Sequence, residues 1–158
     1  MIDGSVMEFV KWFISFVIVS FVVTIIALMF QLNEVNSFHQ EVNYQIERFG
    51  GLTPDALLEL NYYAISNYEG VLDNAYIRNY TDESGNQPYK DQPSSGFIVA
   101  EYIPETNQYY VRAAGEEASY GSRIHYIIER RIGNLLGSPV FTPSIKGSAT
   151  SHIRGQQP

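Results

Sequence analysis

The sequence predicts an α+β protein with a long N-terminal transmembrane helix extending into an amphipathic helix, then a short helix and a small antiparallel sheet. Three observations carry this. Residues 12–30, WFISFVIVSFVVTIIALMF, contain no charged side chain. Neither proline nor glycine interrupts residues 5–49. Beyond Gly50-Gly51, short segments rich in Tyr, Val and Ile alternate with turn-forming stretches.

The apolar run is the first element. At 1.5 Å per residue its nineteen positions cover about 28 Å, against a bilayer hydrocarbon core of roughly 30 Å. A buried core helix would need a larger protein around it, and the rest of the chain is polar. A cleaved secretory signal calls for a basic start, a shorter apolar region and a small-x-small cleavage site. Here Asp3 and Glu8 stand against Lys11, and the run ends in Met29-Phe30-Gln31. The reading is a retained single-pass anchor.

From Leu32 onward, Val35, Phe38, Val42, Ile46 and Phe49 recur at steps of three or four, with Asn33, Glu34, Gln40, Glu41 and Glu47 between them. That is the spacing of an amphipathic helix continuing the anchor. Gly50-Gly51 supplies the left-handed residue that ends it. A second helix follows at once. Thr53 is its N-cap, Pro54 takes the first helical position, and Asp55 sits at the positive helix end. Leu52 and Leu57 occupy the two positions of a hydrophobic staple, and the helix is expected to end within 66–69.

The remainder reads as strands at 75–80, 96–103 and 108–114, with 104–107 as a hairpin loop and 86–95 as a surface loop. Residues 123–136 fit a helix through Ile124, Ile127, Ile128, Ile132 and Leu135, and a strand face through Ile124, Tyr126, Ile128 and Ile132. The dense β-branched residues and the Tyr120-Gly121-Ser122 turn favour the strand. Residues 141–153 form a further extended segment. The organisation expected is a cytoplasmic tail at 1–11, a transmembrane helix at 12–31, an amphipathic extension at 32–50, an extracytoplasmic α+β domain at 51–154 and a polar tail at 155–158.

Charge and composition narrow the function. With Lys11, Asp3 and Glu8 set aside, nine basic and fifteen acidic residues remain, so the part outside the bilayer carries about −6. Nucleic acid calls for a basic stripe that displaces counterions, and none is expected as a partner. There is no cysteine, which rules out disulfides and thiolate metal sites. His39, His125 and His152 are far apart; the helix face of His39 offers no carboxylate, and Glu129 would share the face of His125 if that segment were helical, so no metal or cofactor site is expected. No serine sits in a nucleophile elbow and no glycine-rich phosphate loop occurs, so neither an enzyme nor a small-molecule substrate is expected. All twelve tyrosines follow the span, which fits sheet packing and, alternatively, an aromatic binding surface. Lys11 before the span and Arg48 as the first cation after it favour a cytoplasmic N-terminus and an outer domain.

Glu8 is the polar residue whose place calls for explanation, one turn before Trp12. It reads either as an interfacial carboxylate paired with Lys11 at i+3, or as a carboxylate that enters hydrocarbon and meets a neighbouring subunit's α-amino group.

Gly4 to Phe9, G-S-V-M-E-F, followed by the apolar run and its amphipathic extension, resembles the N-terminus of type IV pilin-like proteins. The nearest likeness is to the TadE-like pseudopilins and related pilus-like proteins of Gram-positive bacteria. The resemblance implies peptidase processing between Gly4 and Ser5, and a subunit-assembly role for Glu8 and Phe9. It also implies pilin-like subunits and an inner-membrane assembly platform as partners, beside the lipid bilayer. Glu8 would stand fourth after such processing, where the family pattern has the acid fifth, and the four-residue leader lacks basic residues. The function expected is that of a pilin-like or pseudopilin subunit of a surface filament or secretion system. The alternative is a membrane-anchored binding module with a Tyr-rich sheet.

Overall fold

A computed structural model describes residues 2–132 and 142–152 of the chain. The elements are α1 (Ile2–Phe49), α2 (Pro54–Tyr68), α3 (Ala75–Arg78), β1 (Phe97–Ile103), β2 (Gln108–Tyr110), β3 (Arg123–Arg130) and β4 (Ser144–Thr150). The fold is the α+β arrangement expected. The chain divides into two compact units, Met1–Ser37 and Phe38–Pro158.

The first unit is helical. Residues 3–30 are all exposed, and the helix is long and apolar enough to cross a membrane, with a mean hydropathy of 2.8 in its most apolar stretch of 18 residues. Its one polar side-chain bond recorded within the apolar run is local, from Thr24 Oγ1 to the Ser20 carbonyl at 2.8 Å. Back-bonding of this kind hides a hydroxyl that hydrocarbon cannot solvate.

The second unit stacks helices on one face of a four-stranded antiparallel sheet of order β2-β1-β3-β4. Phe38, Val42 and Ile46 are fully buried, as the stripe at steps of three and four requires. The helix ends at Gly50, φ 71°, with the Gly51 N–H returning to the Ile46 carbonyl at 3.0 Å. Thr53 Oγ1 accepts from the Ala56 N–H at 3.3 Å, and Leu52 and Leu57 are both buried, so the cap and staple of α2 form as read. Glu69 closes α2 in the left-handed conformation at φ 57°.

The core lies between the layers. The Phe38 ring sits 4.2 Å from Phe97 and 6.0 Å from Tyr68, and Tyr68 lies 5.0 Å from Phe97. Phe97, Val99 and Glu101 of β1 and Ile124, Tyr126 and Ile128 of β3 alternate onto this inner face, all at 1% exposure or less.

Three segments differ from the sequence reading. Residues 75–80 do not form a strand; 75–78 are one turn of helix, α3. The cause lies just before it. The Asp73 N–H donates to the Phe97 carbonyl at 3.0 Å, and the buried Asn74 side chain donates to the Val99 carbonyl at 2.8 Å. These two residues already close the β1 edge above β2, so the chain turns away. β2 is shorter than 108–114, because the Arg112 N–H leaves the ladder for the Leu52 carbonyl at 3.2 Å. Residues 123–136 are a strand as far as Arg130; 133–136, like the tail at 155–158, lie outside the described residues.

Candidate functional site

Gly4, Ser5, Glu8 and Phe9 all stand in the first turns of α1 and all are exposed. Phe9 is 72% exposed, beside Val6 and Met7 at 53% and 58%. Glu8 makes no ion pair among the described residues, so the bond to Lys11 offered by the i+3 spacing is not formed. The segment therefore presents an unpaired carboxylate and a ring at the head of an unpartnered apolar surface. In water such a surface is unstable; in a bilayer it meets lipid or another helix.

The three histidines are not brought together. Each instead lies against a tyrosine: His39 against Tyr126 at 5.7 Å, His125 against Tyr102 at 5.8 Å and His152 against Tyr120 at 6.1 Å. Among the described residues no group of three His, Asp or Glu side chains has the arrangement of a metal site. The surroundings of His39 follow from one small residue. A Cβ on Gly147 of β4 would stand 2.6 Å from the Tyr126 hydroxyl and 2.8 Å from His39 Nε2. Glycine is thus what lets the helix and the sheet approach here. Tyr126 donates to Asn43 Oδ1 at 3.1 Å. Burial lowers the His39 pKa. Burial, helped by the charge of Glu47, pushes the Tyr126 phenol up to about 12.

Behind the helix turn lies a buried ion pair. Arg112 Nε donates to Glu101 Oε2 at 2.8 Å, and the Leu52 N–H donates to the same oxygen at 2.9 Å. Burial opposes the guanidinium's charge, yet the hydrogen bond and charge of Glu101 outweigh it and raise the Arg112 pKa. This pair holds the Gly50-Gly51 turn against β1 and is structural in character.

The outer face of the sheet was the part least visible in the sequence. Strand alternation turns Ile98, Ala100, Tyr102, Tyr109, Ile127 and Glu129 outward. Ile98, Ala100, Tyr109, Ile127 and Glu129 line a shallow depression of about 160 Å³. Lys146 Nζ lies 5.2 Å from the centroid of the Tyr102 ring, a cation–π arrangement, and the Tyr109 ring is 58% exposed. The signal that could have found this face is the second alternation register of the strands, once their partners are known.

No known family model matches the chain, and no solved structure matches it. It is similar to an uncharacterized protein of Bacillus anthracis, at 43% identity over 72 residues. The matched region makes up 46% of this chain and spans about 60% of the length of that relative.

Proposed function

We propose that the protein is a single-pass membrane subunit of pilin-like or pseudopilin type, acting in the assembly of a surface filament or secretion system. In this reading its N-terminus is cytoplasmic and its α+β domain lies outside the cell membrane. The observation that carries the reading is the head of α1, where Glu8 and Phe9 precede an apolar surface exposed along its whole length. Lipid tails and leucine side chains are equally apolar, so helix association in a bilayer needs packing or a polar bond. An unpaired carboxylate in hydrocarbon is costly, and a cation from an adjoining subunit relieves that cost only on assembly. Platform proteins and sibling subunits are the partners this mechanism requires, and Gly4-Ser5 is the processing point it would use.

The experiment is Glu8→Ala in the native membrane. Incorporation into the assembly, read by crosslinking to partner subunits, should be lost while membrane insertion is unchanged or slightly improved. Crosslinking at the wild-type yield would overturn the role of Glu8.

The outer sheet face supports a second reading, an anchored binding module. The half-buried Tyr102 and the exposed Tyr109 and Lys146 form an aromatic and cationic surface. A stand-alone module stays monomeric in detergent, whereas an assembly subunit co-purifies with its siblings.

A further inference from the structure

The domain carries unpaired charge of opposite sign on opposite faces. On the outer sheet face, Arg123 of β3 and Lys146 of β4 are exposed on adjacent strands and belong to no ion pair among the described residues. Glu129 is the acidic residue of this face, and it lies at the rim of the apolar depression. On the far side, α2 turns its buried stripe of Ala56, Leu57, Leu60, Asn61 and Ala64 to the core. Its outward stripe is Asp55, Glu59 and Tyr62, at steps of four and three. All three are exposed, Tyr62 at 56%, and neither carboxylate has an ion-pair partner among the described residues.

We infer that the outer sheet face of one copy receives the outward face of α2 from a second copy. The charge complementarity argues for this occupant: Lys146, paired with Ile127 of the depression, and Arg123, farther along β3 on the same face, meet two carboxylates beside an exposed tyrosine. The depression is lined mainly by Ile98, Ala100 and Ile127, so an aromatic ring fits its chemistry better than a charged group does. The two faces lie on opposite sides of one domain, so a chain cannot satisfy both by itself. The contact is therefore heterologous, and repeated head to tail it propagates an open array instead of closing a symmetric dimer. The inference rests on the assembly reading above and specifies which domain surfaces meet.

The test uses full-length protein co-expressed in bacterial membranes with two distinguishable tags. The chain has no cysteine, so introduced thiols report without background. Ser66→Cys, one turn beyond Tyr62 on the outward stripe of α2, in one tagged copy and Ser148→Cys in the other should yield a mixed disulfide-linked dimer. Arg123→Glu with Lys146→Glu should lower that yield about tenfold, since like charges then face each other. Adding Asp55→Lys with Glu59→Lys should restore it. Phe16→Cys in both copies reports association of the apolar helices separately.

If Phe16→Cys links and Ser66→Cys with Ser148→Cys does not, the sheet-to-helix contact is overturned and the assembly reading stands. If neither links, both are overturned. Ser148→Cys linking to itself as strongly as to Ser66→Cys would overturn the contact in favour of a symmetric sheet pairing. Ser148→Cys linking to a different protein, without the mixed dimer, would overturn it in favour of the anchored binding module.

Discussion

Arg112 reaches across 2.8 Å to Glu101, and Gly51 is glycine because of it. A Cβ at Gly51 would lie 2.4 Å from Arg112 Cδ and 3.1 Å from Glu101 Oε2. The residue also holds φ 137°, which L side chains avoid. The helix turn, the buried acid and the guanidinium therefore form one unit, with the Leu52 amide as its fourth member.

Removing one partner of this pair leaves the other buried and uncompensated. We expect Arg112→Ala to cost about 3 kcal/mol, because Glu101 is fully buried and would lose its cation. Chemical denaturation of the detergent-solubilised protein, followed by tyrosine near-ultraviolet circular dichroism, measures it. A loss below about 1 kcal/mol would mean that the Leu52 amide and the Tyr110 hydroxyl satisfy Glu101 on their own.

Gly147→Ala is expected to cost about 1–3 kcal/mol, since the added methyl overlaps both the Tyr126 ring and His39. The same denaturation measurement decides it. A neutral substitution would show that the rings shift aside freely.

Acid should weaken the domain through His39. Its folded pKa lies below the unfolded value, so the unfolded chain binds the proton more readily. The stabilisation is present above the ordinary histidine range and is lost as pH falls through it. The side chains around this ring are Tyr126, Asn43 and Gln40. The melting temperature should fall between about pH 7.5 and 5.5, and His39→Gln should flatten that part of the profile. An unchanged slope in the variant would remove His39 as the cause.

At the alkaline end the sign reverses. Tyr126 ionises at about 12 in the folded protein, above the ordinary 10. The folded state therefore holds its proton longer, and stability is lost as pH rises from about 10 to 12. Tyr126→Phe should reduce that loss and remove one of the late-ionising phenolates from the absorbance titration. A titration identical to wild type would count against the buried phenol.

Residues 33–158, expressed without the apolar run, should fold with a cooperative thermal transition. Phe38, Val42, Ile46, Leu57, Leu60, Phe97 and Tyr126 supply a core within that span. Circular dichroism without a sigmoidal melt would refute this.

Much of the fold was legible because local rules decided it. The apolar run, the glycine pair and the Thr53-Pro54-Asp55 start each act within a few residues, and the helices formed where those signals stood. Residues 75–80 were misread because their fate depends on Asn74 bonding Val99, a contact 25 residues distant. The Glu101–Arg112 pair was invisible for the same reason. Glu101 looks like a surface residue until β1 is known to turn it inward, and Arg112 until β2 is known to end early. At the candidate assembly site, Glu8 could be singled out from its position before the apolar run, and Phe9 through the family resemblance. The outer sheet face could not, since it exists only once four separated strands are in register.

The strand order carries a consequence for how the domain comes into being. β3 lies between β1 and β4, yet β4 is the last described element along the chain. Until residues 144–150 have been synthesised and delivered to the same compartment, β3 presents a bare edge of unpaired amides and carbonyls. Arrival order and sheet order are thus at odds. A chain halted before Ser144 would hold a sheet that any extended peptide can complete, including one from a neighbouring nascent copy.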